Sequence, residues 1–199
     1  MKIEIRADNT AVITGYVNVV ERESRVLQDI AGPFVEVVKT NTFARALEAA
    51  DSVGLMFDHQ RMIGSTENEL ELKEDPVGLY ARAVITDTEV IEKAKRNELS
   101  GWSFGFYIND GGQQWDQNAE GMRRRTLTDI ELVEVSILDV TPAYIATSIE
   151  MRGEKTCIKE YRNVTDGVEL TDNSQPAEPA EPEAVDMQQL RRKFEFLIM

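Results

Sequence analysis

Residues 2–6 alternate apolar and charged positions, and residues 10–20 are rich in β-branched side chains around Gly15. Together they predict a strand pair with a bend or bulge. After a charged turn at 21–25, residues 34–38 read as a short strand. Residues 42–50 read as a helix, with Thr42 at its cap and Phe43, Ala46, Leu47 and Ala50 on one face. A continuous apolar run at 53–57 has the length of a buried strand and leads directly into Asp58 and His59. Residues 63–65 then read as a turn. Strands follow at 70–72, at 79–85 after a turn at 75–78, and at 102–108. Between the last two, residues 88–97 carry Val90, Ile91 and Ala94 at helical spacing and end in basic residues that suit the negative end of a helix dipole. Residues 109–122 are polar, contain glycine and lack a period, as a mobile surface loop does. Residues 123–139 resume as long β structure, closing at 141–144. The pattern amounts to about six to eight strands and two helices, an α+β proportion that fits a small, mainly antiparallel β-barrel with helices packed around it.

Residues 1–152 thus read as one domain, and beyond them the character changes. Residues 153–186 form an acidic, proline-containing linker whose composition cannot bury a core and predicts disorder. At 187–199, Leu190, Phe194 and Leu197 share one helical face beside Arg191, Arg192 and Lys193. This short amphipathic helix reads either as a docking element on a tether or as a terminal helix packed back on its own domain. The 199 residues carry 22 Lys and Arg against 36 Asp and Glu, a formal net charge of -14. Such a surface repels a nucleic-acid backbone, so no nucleic-acid partner is expected. One cysteine and one histidine supply neither an internal disulfide nor a zinc ligand set, and no cofactor is expected. No stretch approaches the ~18 consecutive apolar residues of a membrane helix, and the N-terminus lacks the apolar core of a signal peptide. A reducing cytosol and no membrane partner are the expectation.

Candidate chemistry centres on residues 99–107, where Ser103 stands among glycines and aromatics. Alternation of Trp102, Phe104 and Phe106 with Ser103, Gly105 and Tyr107 also describes any half-buried strand. An unactivated serine is a poor nucleophile at neutral pH, and His59 is the only imidazole available as its base. A third group must fix the base's tautomer and orientation. In residues 130–137, period two places Glu131 with Val133, Val135 and Ile137, and Glu134 with Leu132 and Ser136. Glu134 lies between valines in a run that reads as buried, and a buried carboxylate requires a partner that an imidazolium would provide. A strand glutamate facing water is the other reading of the same residue. Metal-assisted hydrolysis is disfavoured by the single histidine.

Phe34-Val35-Glu36 with Thr42-Phe43, Phe57-Asp58-His59 with Ile63-Gly64, and Asp75-Pro76-Val77-Gly78-Leu79 occur in that order. They are followed by Trp102-Ser103-Phe104-Gly105-Phe106, and by Leu132-Val133-Glu134-Val135-Ser136 with Pro142-Ala143-Tyr144. These blocks span roughly residues 10–152 and resemble the prohead maturation protease family of tailed bacteriophages. The resemblance implies a serine endopeptidase, distantly similar in fold to the herpesvirus assembly protease and packaged within the procapsid in the host cytoplasm. Its implied substrates are scaffold or the scaffolding segment of the major capsid protein, and commonly the enzyme itself, with self-association in prospect. The family's histidine falls on His59, its serine on Ser103 and its acidic third member on Glu134. The family often has an asparagine before the histidine and an acid after it, where this chain has Asp58 and Gln60. Backbone amides near Ser103 or the run Arg123, Arg124 and Arg125 are candidate oxyanion donors, although a basic run usually marks a solvated face. The rival reading is a non-catalytic capsid assembly or scaffolding protein that keeps the fold for binding.

Overall fold

A computed structural model of the chain describes residues 1–139, 148–152, 155–160 and 168–174. The helix expected at 187–199 and the closing segment at 141–144 lie outside the described residues. The first half of the chain forms β1 (Lys2–Ile5), β2 (Ala11–Val19), β3 (Leu27–Asp29), β4 (Gly32–Val38), α1 (Thr42–Ala49), β5 (Gly54–Phe57), β6 (Arg61–Ser65), β7 (Leu70–Glu74) and β8 (Gly78–Ile85). There follow α2 (Thr88–Lys95), β9 (Gly101–Ile108), β10 (Gln113–Gln117), β11 (Arg123–Leu127), β12 (Ile130–Leu138), β13 (Ser148–Arg152), β14 (Lys155–Glu160) and β15 (Glu169–Asp172).

Mostly β structure with two helices is what the hydrophobic pattern predicts, but the expected closed barrel is absent among the described residues. The strands form three open sheets, ordered β15-β1-β2-β8-β7, β10-β11-β4-β3 and β13-β14-β9-β12-β5-β6. The physical reason lies in the pairings. β4 runs parallel to β11, β5 to β12 and β1 to β15, so the chain repeatedly leaves one sheet and re-enters another instead of winding antiparallel around a ring. Two expected connections are themselves strands: residues 63–65 belong to edge strand β6, and the polar loop at 109–122 contains β10, whose five residues are all exposed. The single long strand expected at 123–139 divides at Thr128 and Asp129 into β11 and β12, which enter different sheets. Beyond residue 152, β14 pairs antiparallel with β9 and β15 pairs parallel with β1, so parts of the expected linker span add strands to two sheets.

The six-stranded sheet positions the candidate site. On one face of β9, Trp102, Phe104 and Phe106 are buried, and Phe104 meets Phe43 of α1 edge to face at 5.3 Å. Thr42 is not the cap of that helix. Asn41 occupies the cap position in the left-handed region with no side-chain bond, and the carboxylate of Glu74 from β7 receives the N–H groups of Asn41 at 2.7 Å and Ala44 at 2.6 Å. These are two of the orphan donors of a helix start, satisfied from 30 or more residues away. Glu74→Ala is expected to lower unfolding free energy by about 1–2 kcal/mol, measured by urea denaturation, with Glu74→Gln recovering part of the loss. At α2 the cap is local, since Asp87 Oδ1 accepts the Val90 N–H at 3.0 Å.

Candidate active site

His59 owes its position to a turn. Gln60 N–H donates to the Phe57 carbonyl at 3.0 Å, and the residues between, Asp58 and His59, both have left-handed φ, +50° and +57°. Two such residues in succession mark a turn of the primed hairpin type, here joining β5 to β6. Asp and His tolerate this region better than most side chains, yet it stays sparsely populated unless the surroundings enforce it. Three bonds to the end of β12 enforce it. Asp58 N–H donates to the Ile137 carbonyl at 2.9 Å, His59 N–H donates to Ser136 Oγ at 2.8 Å, and Asp139 N–H donates to Asp58 Oδ1 at 3.1 Å.

The imidazole then turns toward β12, with Nδ1 2.5 Å from Glu134 Oε1 and both side chains almost wholly buried. A carboxylate acceptor there assigns the hydrogen to Nδ1 and leaves Nε2 as the nitrogen able to exchange a proton. Glu134 reaches this face because of a bulge. Leu132 stands opposite Phe106 while Glu134 stands opposite Gly105, so Val133 is an extra residue on β12. Uninterrupted period two would place Glu134 on the face of Leu132; the bulge instead leaves Leu132 in the core and turns Glu134 to the other side. Bare backbone flanks the carboxylate there, Gly105 on β9 and Gly54 on β5. A Cβ on Gly105 would lie 2.4 Å from Glu134 Oε1, so that glycine is the space the carboxylate occupies.

Ser103 lies on the same face of β9 as Gly105, directly opposite Ser136 in the antiparallel register, and is fully buried. The three side chains singled out in the sequence therefore share one face of one sheet. Glu131, the other carboxylate of that strand, is exposed. The arginine run lies elsewhere. Arg123, Arg124 and Arg125 are on β11 in the four-stranded sheet, where they pair with Asp29, Asp116 and Glu36 respectively. Ser136, which accepts the His59 N–H, carries no local signature, because a serine inside an apolar strand looks like any other strand residue.

A second titratable group touches the histidine turn. Burial, and then the neighbouring carboxyl of Asp139, push Asp58 up to about 6 from its ordinary value. Burial also raises Asp139, but hydrogen bonds from Lys93, 2.7 Å away on α2, and from Asp58 outweigh it and hold Asp139 below the usual carboxylate range. Asp58 therefore keeps its proton in the folded chain at pH values where the unfolded chain has lost it. Its contribution to stability is greatest in acid and declines as pH rises from about 4 to about 6. In urea denaturation at about pH 5 and about pH 7, Asp58→Asn is expected to shrink the stability difference between the two conditions. An unchanged difference would remove Asp58 as its source.

A hydroxyl, an imidazole and a carboxylate brought to one buried sheet face form the residue set of a serine hydrolase. Among the described residues no group of three or more His, Cys, Asp and Glu side chains could hold a metal ion, and no helix is long and apolar enough to cross a membrane. The chain belongs to the caudovirus prohead serine protease family, whose model matches residues 1–163. No curated protein and no solved structure matches it. Membership implies a capsid maturation protease role, with capsid proteins as substrates and a location within the procapsid in the host cytoplasm.

Proposed function

We propose that the chain is a serine endopeptidase working through an acyl-enzyme, with Ser103 as nucleophile, His59 as general base and then general acid, and Glu134 as the group that orients the imidazole. The observation that carries this reading is the 2.5 Å contact between His59 Nδ1 and Glu134 Oε1 on the sheet face that bears Ser103. In the first half-reaction Nε2 takes the Ser103 proton as Oγ attacks the scissile carbonyl carbon, and the resulting imidazolium passes that proton to the leaving amine. Water then enters, gives a proton to Nε2 and attacks the ester. The acid product leaves as the proton returns to Ser103. Glu134 holds the ring in place and stabilises the imidazolium as it forms. The substrates are scaffold or the scaffolding segment of the major capsid protein, and the chain itself.

Incubation of the folded full-length chain with a fluorophosphonate, followed by digestion and mass mapping, tests the nucleophile. A single adduct on Ser103 is expected; its absence from folded protein, or its appearance on another serine, would overturn the assignment. Intact-mass time courses with the cognate capsid precursor test the substrate. Time-dependent fragments of the precursor are expected, and fragments of the chain alone would identify self-cleavage. An unchanged precursor beside a labelled Ser103 would rule out that substrate while leaving the chemistry in place.

A further inference from the structure

Ser136 is fully buried, in contact with the histidine turn and opposite the candidate nucleophile. Its Oγ accepts the His59 N–H at 2.8 Å, a bond between residues 77 apart in the chain. Across the strand pair it faces Ser103. Directly opposed residues in an antiparallel pair bring their Cβ atoms to about 4.5–5.5 Å, close enough for hydroxyls to exchange a hydrogen bond. An accepting hydroxyl also retains its own hydrogen to donate. One side chain thus stands between the backbone that carries the base and the strand that carries the nucleophile.

The demand on that side chain is specific. His59 occupies the left-handed region, as does Asp58 before it, and such backbone keeps its shape only where its surroundings over-determine it. Of the two backbone N–H groups of this turn that reach β12, that of His59 ends on a side-chain oxygen, whereas that of Asp58 ends on a carbonyl. Glu134 fixes the ring, and Ser136 fixes the backbone from which the ring projects. Without Oγ, a buried N–H loses its acceptor at the residue whose ring must meet Ser103 within a fraction of an ångström.

We propose that Ser136 is a positioning residue that holds His59 in register with Ser103, accepting from the His59 N–H and donating toward the Ser103 hydroxyl. The proposal rests on the assignment of Ser103 and His59 as nucleophile and base. It is tested on the full-length chain by the kinetics of fluorophosphonate inactivation, separating the maximal inactivation rate from the half-saturating probe concentration. Ser136→Ala is expected to inactivate about 10–100-fold more slowly at saturating probe, with the half-saturating concentration unchanged. Ser136→Thr, which keeps a hydroxyl, is expected to lie within about threefold of the parent chain.

An alanine variant that reacts at the parent rate would overturn the proposal. So would equal losses in the alanine and threonine variants, which would make the role one of volume. If the alanine variant does not fold by circular dichroism, Ser136→Cys carries the test, since its thiol nearly matches the volume and bonds weakly. A slowing like that expected for alanine supports the proposal, and the parent rate overturns it. Failure of the underlying assignment looks different. In that case the parent chain takes up no probe, or Ser103→Ala is labelled as fast as the parent.

Discussion

Ser103→Ala is expected to lower kcat/KM on a capsid-precursor peptide by at least about 10⁴-fold while leaving the chain folded. The fold survives because alanine fills nearly the same volume at a fully buried strand position. The change in unfolding free energy should stay within about 1 kcal/mol, which thermal denaturation of the two chains can check. His59→Ala is expected to fall to a similar floor, and the double variant no lower, because nucleophile and base act as one unit. A Ser103→Ala chain that keeps a tenth of the parent activity would exclude this serine as the nucleophile, whereas a folded parent chain that cuts no precursor would favour a binding protein with a protease fold.

Gly105→Ala is expected to reduce kcat by about 10²–10⁴-fold with a far smaller effect on stability. The added methyl would sit 2.4 Å from Glu134 Oε1 and 3.1 Å from both Cγ and Cδ of the same side chain. The far end of a glutamate can swing away, so the sheet is retained, but the swing withdraws the carboxylate from His59 Nδ1. The ring then loses the partner that sets its tautomer. Coupling is the decisive readout. In the Gly105→Ala background, Glu134→Gln should cost almost nothing further, whereas in the parent chain it should cost as much as the glycine change. Independent, additive losses would show that Gly105 acts on something other than Glu134.

Much of this arrangement is visible in the amino-acid pattern, and the exceptions have physical causes. The aromatic alternation of β9, the apolar run of β5 and the spaced Val90, Ile91 and Ala94 of α2 each mark an element because their neighbours in sequence are also their neighbours in environment. Residues Gln113–Gln117 give no such signal, since a strand whose five residues are all exposed has no buried face to set a periodicity. The start of α1 differs from the local expectation at Thr42 because its acceptor, Glu74, arrives through the tertiary fold. Closure into a barrel is a property of pairing partners, and the parallel contacts of β4 with β11 and β5 with β12 join strands far apart in the chain. At the candidate site, residue types pointed to Ser103, His59 and Glu134. The bulge at Val133, left-handed backbone at His59 and bond to Ser136 needed three dimensions.

The sequence distance between His59 and Glu134 also sets a clock. Their contact joins residues 75 apart, and the bond from His59 to Ser136 spans 77. At a synthesis rate of about 5–20 residues per second, roughly 4 to 15 s separate the appearance of the histidine from that of the strand that orients it. On the proposed assignment, the nascent chain holds its base during that interval, and later its serine, without the strand that aligns them. A translation product ending before residue 130 lacks Glu134 and Ser136 and, on the proposed assignment, is expected to be inactive. If Glu134 orients the imidazole as proposed, cleavage begins only after β12 has been made and docked.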